Sequence, residues 1–268
     1  MTANANANAN ELRPVPAGRI NFTSANLPSY SDCFALVLDS LYTPAECTSI
    51  LSAPIVDAGH TWDIARVNGR RQEFTNTSYR NGERILYDSF ELSERIFARM
   101  RPHLKEIEEI EEDVVLRVEV NNPGRRSRSS NNVKIKSVRA KQKWRMVRMN
   151  ERLRFLRYPV GGFFKHHTDG CYEDEQTGQR TFYTVQMYLP SDTSGSEESF
   201  AVAGGGSTRF WARRDVGAEY ADVEAIPGRV LVFQHAKLLH TGEEVTSGVK
   251  CTVRSDILYE KVGEPVPV

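Results

Sequence analysis

Phe164-Lys165-His166-His167-Thr168-Asp169-Gly170 is the stretch on which the reading of this chain turns. A histidine and an aspartate two residues apart, at the end of a strand, can both face one metal ion. His166 precedes His167, and the spacing to Asp169 favours His167 as the ligand. An H-x-D pair often arises by chance, and most histidines are packed or solvated, so a second half is needed. Val232-Phe233-Gln234-His235-Ala236-Lys237-Leu238-Leu239-His240 supplies it, with His240 placed after an apolar strand. Two imidazoles and one carboxylate make a facial triad that leaves three coordination positions open on iron. Zinc hydrolases use the same ligand types, so the triad alone does not settle the metal.

The strand after His240 bears on what fills those positions. Within Val249 to Ile257, Lys250, Thr252, Arg254 and Asp256 share one face, while Cys251, Val253 and Ile257 share the other. Such a strand either separates a polar cavity from a helix layer or has one face in solvent, and alternation does not choose between them. In the first case a cation there would pair with the distal carboxylate of a 2-oxo acid. Thr181 to Leu189 behaves similarly, with Thr184, Gln186 and Tyr188 on one face.

Further out, the pattern predicts short strands at Phe34–Leu38, Leu153–Tyr158, Thr181–Leu189, Thr208–Trp211, Val230–Gln234 and Lys250–Tyr259. Pro190 stops one of them, a Ser/Gly-rich loop covers Ser191 to Gly206, and Pro227-Gly228 marks a turn. Helices fall before Asn121. Thr43, Pro44 and Glu46 form a capping box and start for one that runs to about Leu51. A second begins near Asp88, with Leu92, Ile96, Phe97 and Met100 at helical spacing. The acidic run Lys105 to Asp113 reads as a solvated face, either extending that helix or forming a short one. The fold class expected is α+β: a strand-rich double sheet with N-terminal helices packed on one outer face.

The chain has 268 residues, enough for one substantial domain, with 35 basic and 35 acidic residues. Net charge therefore points to neither nucleic acid nor membrane. Residues 1–18 form an Ala/Asn-rich polar segment expected to be a disordered tail, without the features of a signal peptide. Cys33, Cys47, Cys171 and Cys251 are scattered, which argues against a disulfide framework. An intracellular protein, cytoplasmic or nuclear, is the expectation, and no apolar run is long enough for a membrane span. Residues 121–145 are rich in Arg and Lys and are expected to form a flexible basic insertion in a single domain over 19–268. It lies close to the expected cavity entrance and is a candidate lid, or a contact for an acidic partner or nucleic acid. With little aromatic interleaving, a solvated insertion is the simpler reading. His60 and His103 read as surface or packing residues, and His235 as a buried structural histidine. Cys171 reads as a small packed residue, and Trp62, Arg80 and Arg84 as candidates for the cavity mouth.

The ordered motifs resemble those of prolyl 4-hydroxylase-like Fe(II)/2-oxoglutarate-dependent dioxygenases. The similar segments are Tyr158-Pro159-x-Gly161-Gly162-x-Phe164-x-x-His167-x-Asp169-Gly170, Gly205-Gly206-x-Thr208-x-Phe210, Gly228-x-x-Leu231-Val232-Phe233, His240-x-Gly242-x-x-Val245-x-x-Gly248-x-Lys250 and Arg254-x-Asp256. The resemblance covers about Arg152 to Tyr259. It implies a double-stranded β-helix, or jelly-roll, core with iron held by His167, Asp169 and His240. It implies Fe(II), 2-oxoglutarate and dioxygen as cofactors, with ascorbate as reductant. By motif position Lys250 would bind the distal carboxylate of 2-oxoglutarate, with Arg254 able to share or take over. Tyr188 would help, and Tyr158 would line the pocket. The reaction implied is hydroxylation of a C–H bond in a peptidyl side chain, a small amino acid or a secondary metabolite. Asp169 in the carboxylate position argues against halogenation. The alternatives are an oxygenase or binder acting on nucleic acid through residues 125–143, and a non-catalytic jelly-roll binding protein.

Overall fold

A computed structural model describes residues 17–68, 72–121, 133–212 and 219–267. The expectations for residues 1–16 and 122–132 lie outside the described residues. In chain order the elements that build and support the site are β1 (Ala17–Arg19), β2 (Ala35–Leu38), α1 (Pro44–Ser52), β3 (Asp63–Ile64), β4 (Arg80–Asn81), β5 (Glu83–Asp88), α2 (Phe90–Met100), β6 (Glu109–Asn121), β7 (Val133–Met149), β8 (Arg152–Tyr158), β9 (Phe163–His167), β10 (Arg180–Leu189), β11 (Thr208–Trp211), β12 (Tyr220–Val223), β13 (Val230–Gln234), β14 (His240–Gly242) and β15 (Lys250–Pro267). The larger sheet runs β1-β2-β13-β10-β15-β8-β5-β3, and the smaller β12-β11-β14-β9-β4. The strand-rich core with few helices is a jelly roll.

Both faces of β15 are enclosed, which resolves the ambiguity left by its alternation. Cys251, Val253 and Ile257 are buried in an apolar cluster with Ile50 and Leu51 of α1 and Leu92, Ile96, Phe97 and Met100 of α2. Lys250, Thr252 and Asp256 are buried on the opposite, inward face. The antiparallel register sets Gln186 opposite Arg254, Thr184 opposite Asp256, and Tyr158 opposite Lys250. Directly opposed residues share a face, so one polar wall is assembled from β8, β10 and β15. A second apolar cluster, including Tyr188, Phe210, Leu231 and Phe233, fills the space between the sheets.

The helix signals hold at α1, where the Glu46 N–H donates to Thr43 Oγ1 and the Glu46 carboxylate accepts from the Thr43 N–H. At α2 the N-cap is Ser89, whose hydroxyl accepts from Leu92 N–H, while Asp88 is engaged by Arg152. Gly82 joins β4 to β5, where the chain crosses from one sheet to the other. A Cβ there would stand 2.5 Å from the Tyr158 ring, so only glycine lets that ring lie across the crossover.

Three expectations need correction. Residues 17 and 18, assigned to the tail, belong to β1, which pairs with Leu36–Leu38 of β2. The acidic run begins in a short 3-10 helix, Lys105–Ile107, but from Glu109 it and the described basic run are not a helical face and a flexible insertion. Among described residues they are the two strands of one hairpin, β6 and β7. Glu109 faces Arg145, Glu111 faces Lys143, and Asp113 faces Lys141, with an Asp113–Lys141 bridge of 2.7 Å. Opposite charges set directly across a ladder favour that register, although exposed pairs add little to stability. The hairpin joins the core because β7 also pairs with the distal half of β15. The third correction is length: β15 continues past Tyr259 to Pro267 along that hairpin.

Tyr259 ties these layers together. Fully buried on β15, it donates its hydroxyl to the Ile107 carbonyl at 2.8 Å. Tyr259→Phe leaves that carbonyl unpaired and is expected to cost about 1–3 kcal/mol, seen as a lower urea midpoint with unchanged m-value.

Candidate active site

The smaller sheet supplies the two imidazoles. His167 is the last residue of β9 and His240 the first of β14, and they are direct register partners on adjacent antiparallel strands. Their ring centroids lie 4.2 Å apart. Asp169 follows two residues after His167, and its Oδ1 and Oδ2 are each 3.9 Å from one imidazole Nε2. One ligand atom from each of the three residues falls within 4.8 Å of the others. His166 projects elsewhere, its ring 5.2 Å from that of Trp211. Of the two adjacent histidines, His167 is the one whose ring falls within this group.

Local hydrogen bonds orient the set. His167 Nδ1 donates to the Lys165 carbonyl at 2.7 Å, and His240 Nδ1 to the Leu238 carbonyl at 3.1 Å. A carbonyl can only accept, so each Nδ1 carries the proton and each Nε2 lone pair points toward the shared centre. Burial, and then the neighbouring His240, push the His167 pKa down to about 3, so the ring is neutral at pH 7. Burial also lowers that of His240. For Asp169 burial works to raise the carboxyl, but Arg254 and the imidazoles override it and hold the group ionised. Thr184 Oγ1 donates to Asp169 Oδ2, and Arg254 Nη2 lies 3.0 Å from Oδ1. Two neutral imidazoles and one carboxylate, already in ligating protonation states, fit a divalent iron ion.

The same cavity is lined by Tyr158, Lys250 and Arg254, which the motifs singled out. Lys250 is buried and has no hydrogen-bond or salt-bridge partner among the described residues, its Nζ lying 5.7 Å and 5.9 Å from the centres of the Tyr158 and Tyr188 rings. Burial, partly offset by Glu243, lowers its pKa to about 8. Tyr188 stands behind the cavity wall, donating to Thr208 Oγ1 at 2.8 Å, and Gln186 Nε2 donates to the same oxygen. Arg254 has other engagements: besides Asp169 it reaches Asp256 at 3.4 Å, and Asp256 is also bridged by Arg154 at 3.0 Å and by His235 at 3.2 Å. Burial opposes the charge on His235, but Asp256 and Cys171 raise its pKa to about 9.

Sequence reasoning set Gln186 and Thr252 on strand faces that could border a polar cavity but gave them no role, it gave Phe164 and Thr208 none beyond their motifs, and it offered Arg80 only as a candidate for the mouth. Gln186 and Thr252 carried a signal in their alternation with core residues. Phe164 lay inside the key motif, and its ring stacks on His167 with centroids 3.6 Å apart. Of the other candidates for the mouth, Arg84 is bound by Glu73 and Trp62 lies under Arg157.

Residues 153–255 match the 2OG-Fe(II) oxygenase superfamily, a span that contains all three triad residues, Lys250 and Arg254. That match, taken with the triad geometry, supports an Fe(II)- and 2-oxoglutarate-dependent dioxygenase. No curated protein matches the chain. Solved structures similar to it include a viral collagen prolyl hydroxylase from Paramecium Bursaria Chlorella virus-1 in a 2OG complex (16% identity, 84% of this chain and 95% of that chain covered, TM-score 0.46). A Pseudomonas putida prolyl-4-hydroxylase matches with 14% identity, 87% and 97% coverage and a TM-score of 0.47. A Trichoplax adhaerens prolyl hydroxylase in complex with a hypoxia inducible factor oxygen degradation domain peptide matches with 11% identity, 88% and 90% coverage and a TM-score of 0.48. These likenesses are distant, and the assignment rests on the 153–255 match and the triad geometry. Among the described residues no helix is long and apolar enough to cross a membrane.

His167→Ala is expected to leave the thermal transition close to wild type. It should lower Mn(II) or Fe(II) affinity by more than the ~10–100-fold caused by losing an outer partner of a ligand. Calorimetric metal titration under anaerobic conditions measures this, and unchanged affinity would remove His167 from the ligand set.

Proposed function

We propose that His167, Asp169 and His240 hold Fe(II) and that Lys250 binds the distal carboxylate of 2-oxoglutarate, in an enzyme that hydroxylates a C–H bond of a peptidyl side chain or a small molecule. The observation that carries the placement of 2-oxoglutarate is the buried, unpartnered Lys250 ammonium in the same cavity as the triad. A buried ammonium without an anion is costly, and a carboxylate delivered by the cosubstrate removes the cost with a charge-assisted bond. Arg254 is the weaker candidate for this role because Asp169 and Asp256 already occupy it.

When bound, iron with 2-oxoglutarate and dioxygen supplies oxidative decarboxylation to succinate and carbon dioxide, coupled to insertion of oxygen into a C–H bond. The protein's part is binding and orientation. Lys250 neutralises one end of the 2-oxo acid, with the Tyr158 ring as a wall and Tyr188 behind it. Arg254 and Thr184 hold Asp169 so that its carboxylate cannot rotate freely. Both imidazoles are fixed through Nδ1, which removes ring flips from the reaction coordinate. Leu156, Phe163 and Phe164 add apolar surface that limits water around the reacting atoms.

The Lys250 ammonium titrates near pH 8 in the free site, and only the charged form pairs with a carboxylate. Affinity for 2-oxoglutarate is therefore full below that pKa and falls as pH rises through it. In a succinate-release assay, KM for 2-oxoglutarate is expected to be flat up to about pH 7 and to rise toward about tenfold per pH unit above pH 8. Lys250→Gln should raise KM throughout and abolish the pH dependence. A pH-independent KM in the wild-type enzyme would count against Lys250 as the anchor.

A further inference from the structure

Two carboxylates and three long cations line the cavity: Asp169, Glu243, Arg80, Lys250 and Arg254. Asp169 is matched by Arg254, and Glu243 by Arg209 at 3.1 Å. On the reading above, Lys250 meets 2-oxoglutarate. Arg80 is left over. Among the described residues every other partly buried arginine sits in a salt bridge with an Asp or Glu. Arg80 has only neutral acceptors: Nη1 donates to the Arg66 carbonyl and Nη2 to the Tyr158 hydroxyl, both at 3.2 Å. Its Nε is buried and has no partner.

The position of this cation is specific. Its Cζ lies 4.5 Å from the centre of the Phe164 ring, whose other neighbour in the stack is His167. The Phe164 ring thus touches both the Arg80 guanidinium and the His167 imidazole. The backbone beneath is rigid as well. Arg80 pairs with Phe164 in the ladder of β4 and β9, and the neighbouring Tyr79 hydroxyl donates to the His166 carbonyl at 2.7 Å. A half-buried cation held this firmly, with no internal anion, is completed by an anion from outside.

We propose that Arg80 anchors a carboxylate of the substrate, and so that this dioxygenase acts on a carboxylate-bearing molecule. A single guanidinium matches a planar monoanion in charge and shape, whereas a phosphate dianion would call for a second cation. The carboxylate belongs either to a free amino acid or other small acid, or to an acidic side chain or terminus of a peptide. The inference rests on the oxygenase reading, because the iron position is what gives an anchored group its purpose.

The test uses the full chain with Fe(II), 2-oxoglutarate and oxygen, and two arms of paired probes. One arm sets free amino acids against their carboxamides, and the other sets Glu-containing peptides against their Gln counterparts. Succinate release without any probe checks the oxygenase reading by itself. Anaerobic calorimetric titration of the same pairs onto the metal-loaded protein needs no turnover, so a failure of that reading and a failure of the Arg80 inference give different results. In at least one arm the acid is expected to bind about tenfold or more tighter than its amide and to stimulate succinate release. Arg80→Gln should erase that acid preference, and Arg80→Lys, which keeps the charge on a flexible stem, should restore part of it. Circular dichroism melts check folding, and if Arg80→Gln does not fold, the Arg80→Lys comparison decides alone through its weakened preference. Equal binding of acids and amides to the wild type in both arms, or an acid preference unchanged in the variants, overturns the proposal.

Discussion

Period-two alternation with both faces enclosed is the constraint on which the rest of the molecule depends, and β15 is where it acts. Cys251, Val253, Ile257 and Tyr259 enter the helix-covered core, while Lys250, Thr252 and Arg254 line the cavity and Asp256 lies buried beside Arg254. A one-residue slip would put Lys250 and Arg254 against α1 and α2 and send Val253 into the polar site. The strand is also shared: β10 pairs along one edge, while β8 and then β7 pair along the other. Three neighbours fix its register, and through it the alignment of Tyr158, Thr184 and Gln186 with the cavity.

Placing charge in such an interior is costly unless each group is matched. The wall meets that requirement as a network. Asp256 is shared by Arg154, Arg254 and His235, and Asp169 by Arg254 and Thr184. Removing Asp256 would leave Arg154 and His235 without their anion, whereas removing one of its cations leaves the others in place, so the effects of substitutions here should not add. Among the described residues, Lys250 and Arg80 are the cavity cations that stay outside this network of ion pairs, and they are the two that the proposals above pair with ligands.

The parts of this architecture legible in the sequence were those encoded locally. Thr208–Trp211 and Val230–Gln234 have the ends that apolar runs and turn residues suggested, and the capping box of Thr43 and Glu46 marked α1. The triad was legible because motif order and spacing carry it. What escaped depended on partners distant in the chain. Nothing within Lys105–Asp113 indicates that Lys141, Lys143 and Arg145 lie opposite, so two halves of one hairpin looked like a solvated helix face and a loose insertion. Arg80 sits in a two-residue strand too short to show periodicity. Tyr188 has the inward side of its strand, as alternation indicated, but its hydroxyl is taken up by Thr208, a contact that no spacing rule supplies.

The pairing of each imidazole Nδ1 with a carbonyl two residues back has a thermodynamic corollary. Metal sites commonly release protons as they fill, because ligands must first be deprotonated, and their affinity then climbs with pH. Here the carbonyls of Lys165 and Leu238 keep the Nδ1 protons out of that exchange, burial keeps both Nε2 atoms bare, and Arg254 keeps Asp169 ionised. Near neutrality the cation enters a centre whose proton inventory is already that of the filled state. The protein thus sets aside the competition between proton and metal during folding, before any ion arrives.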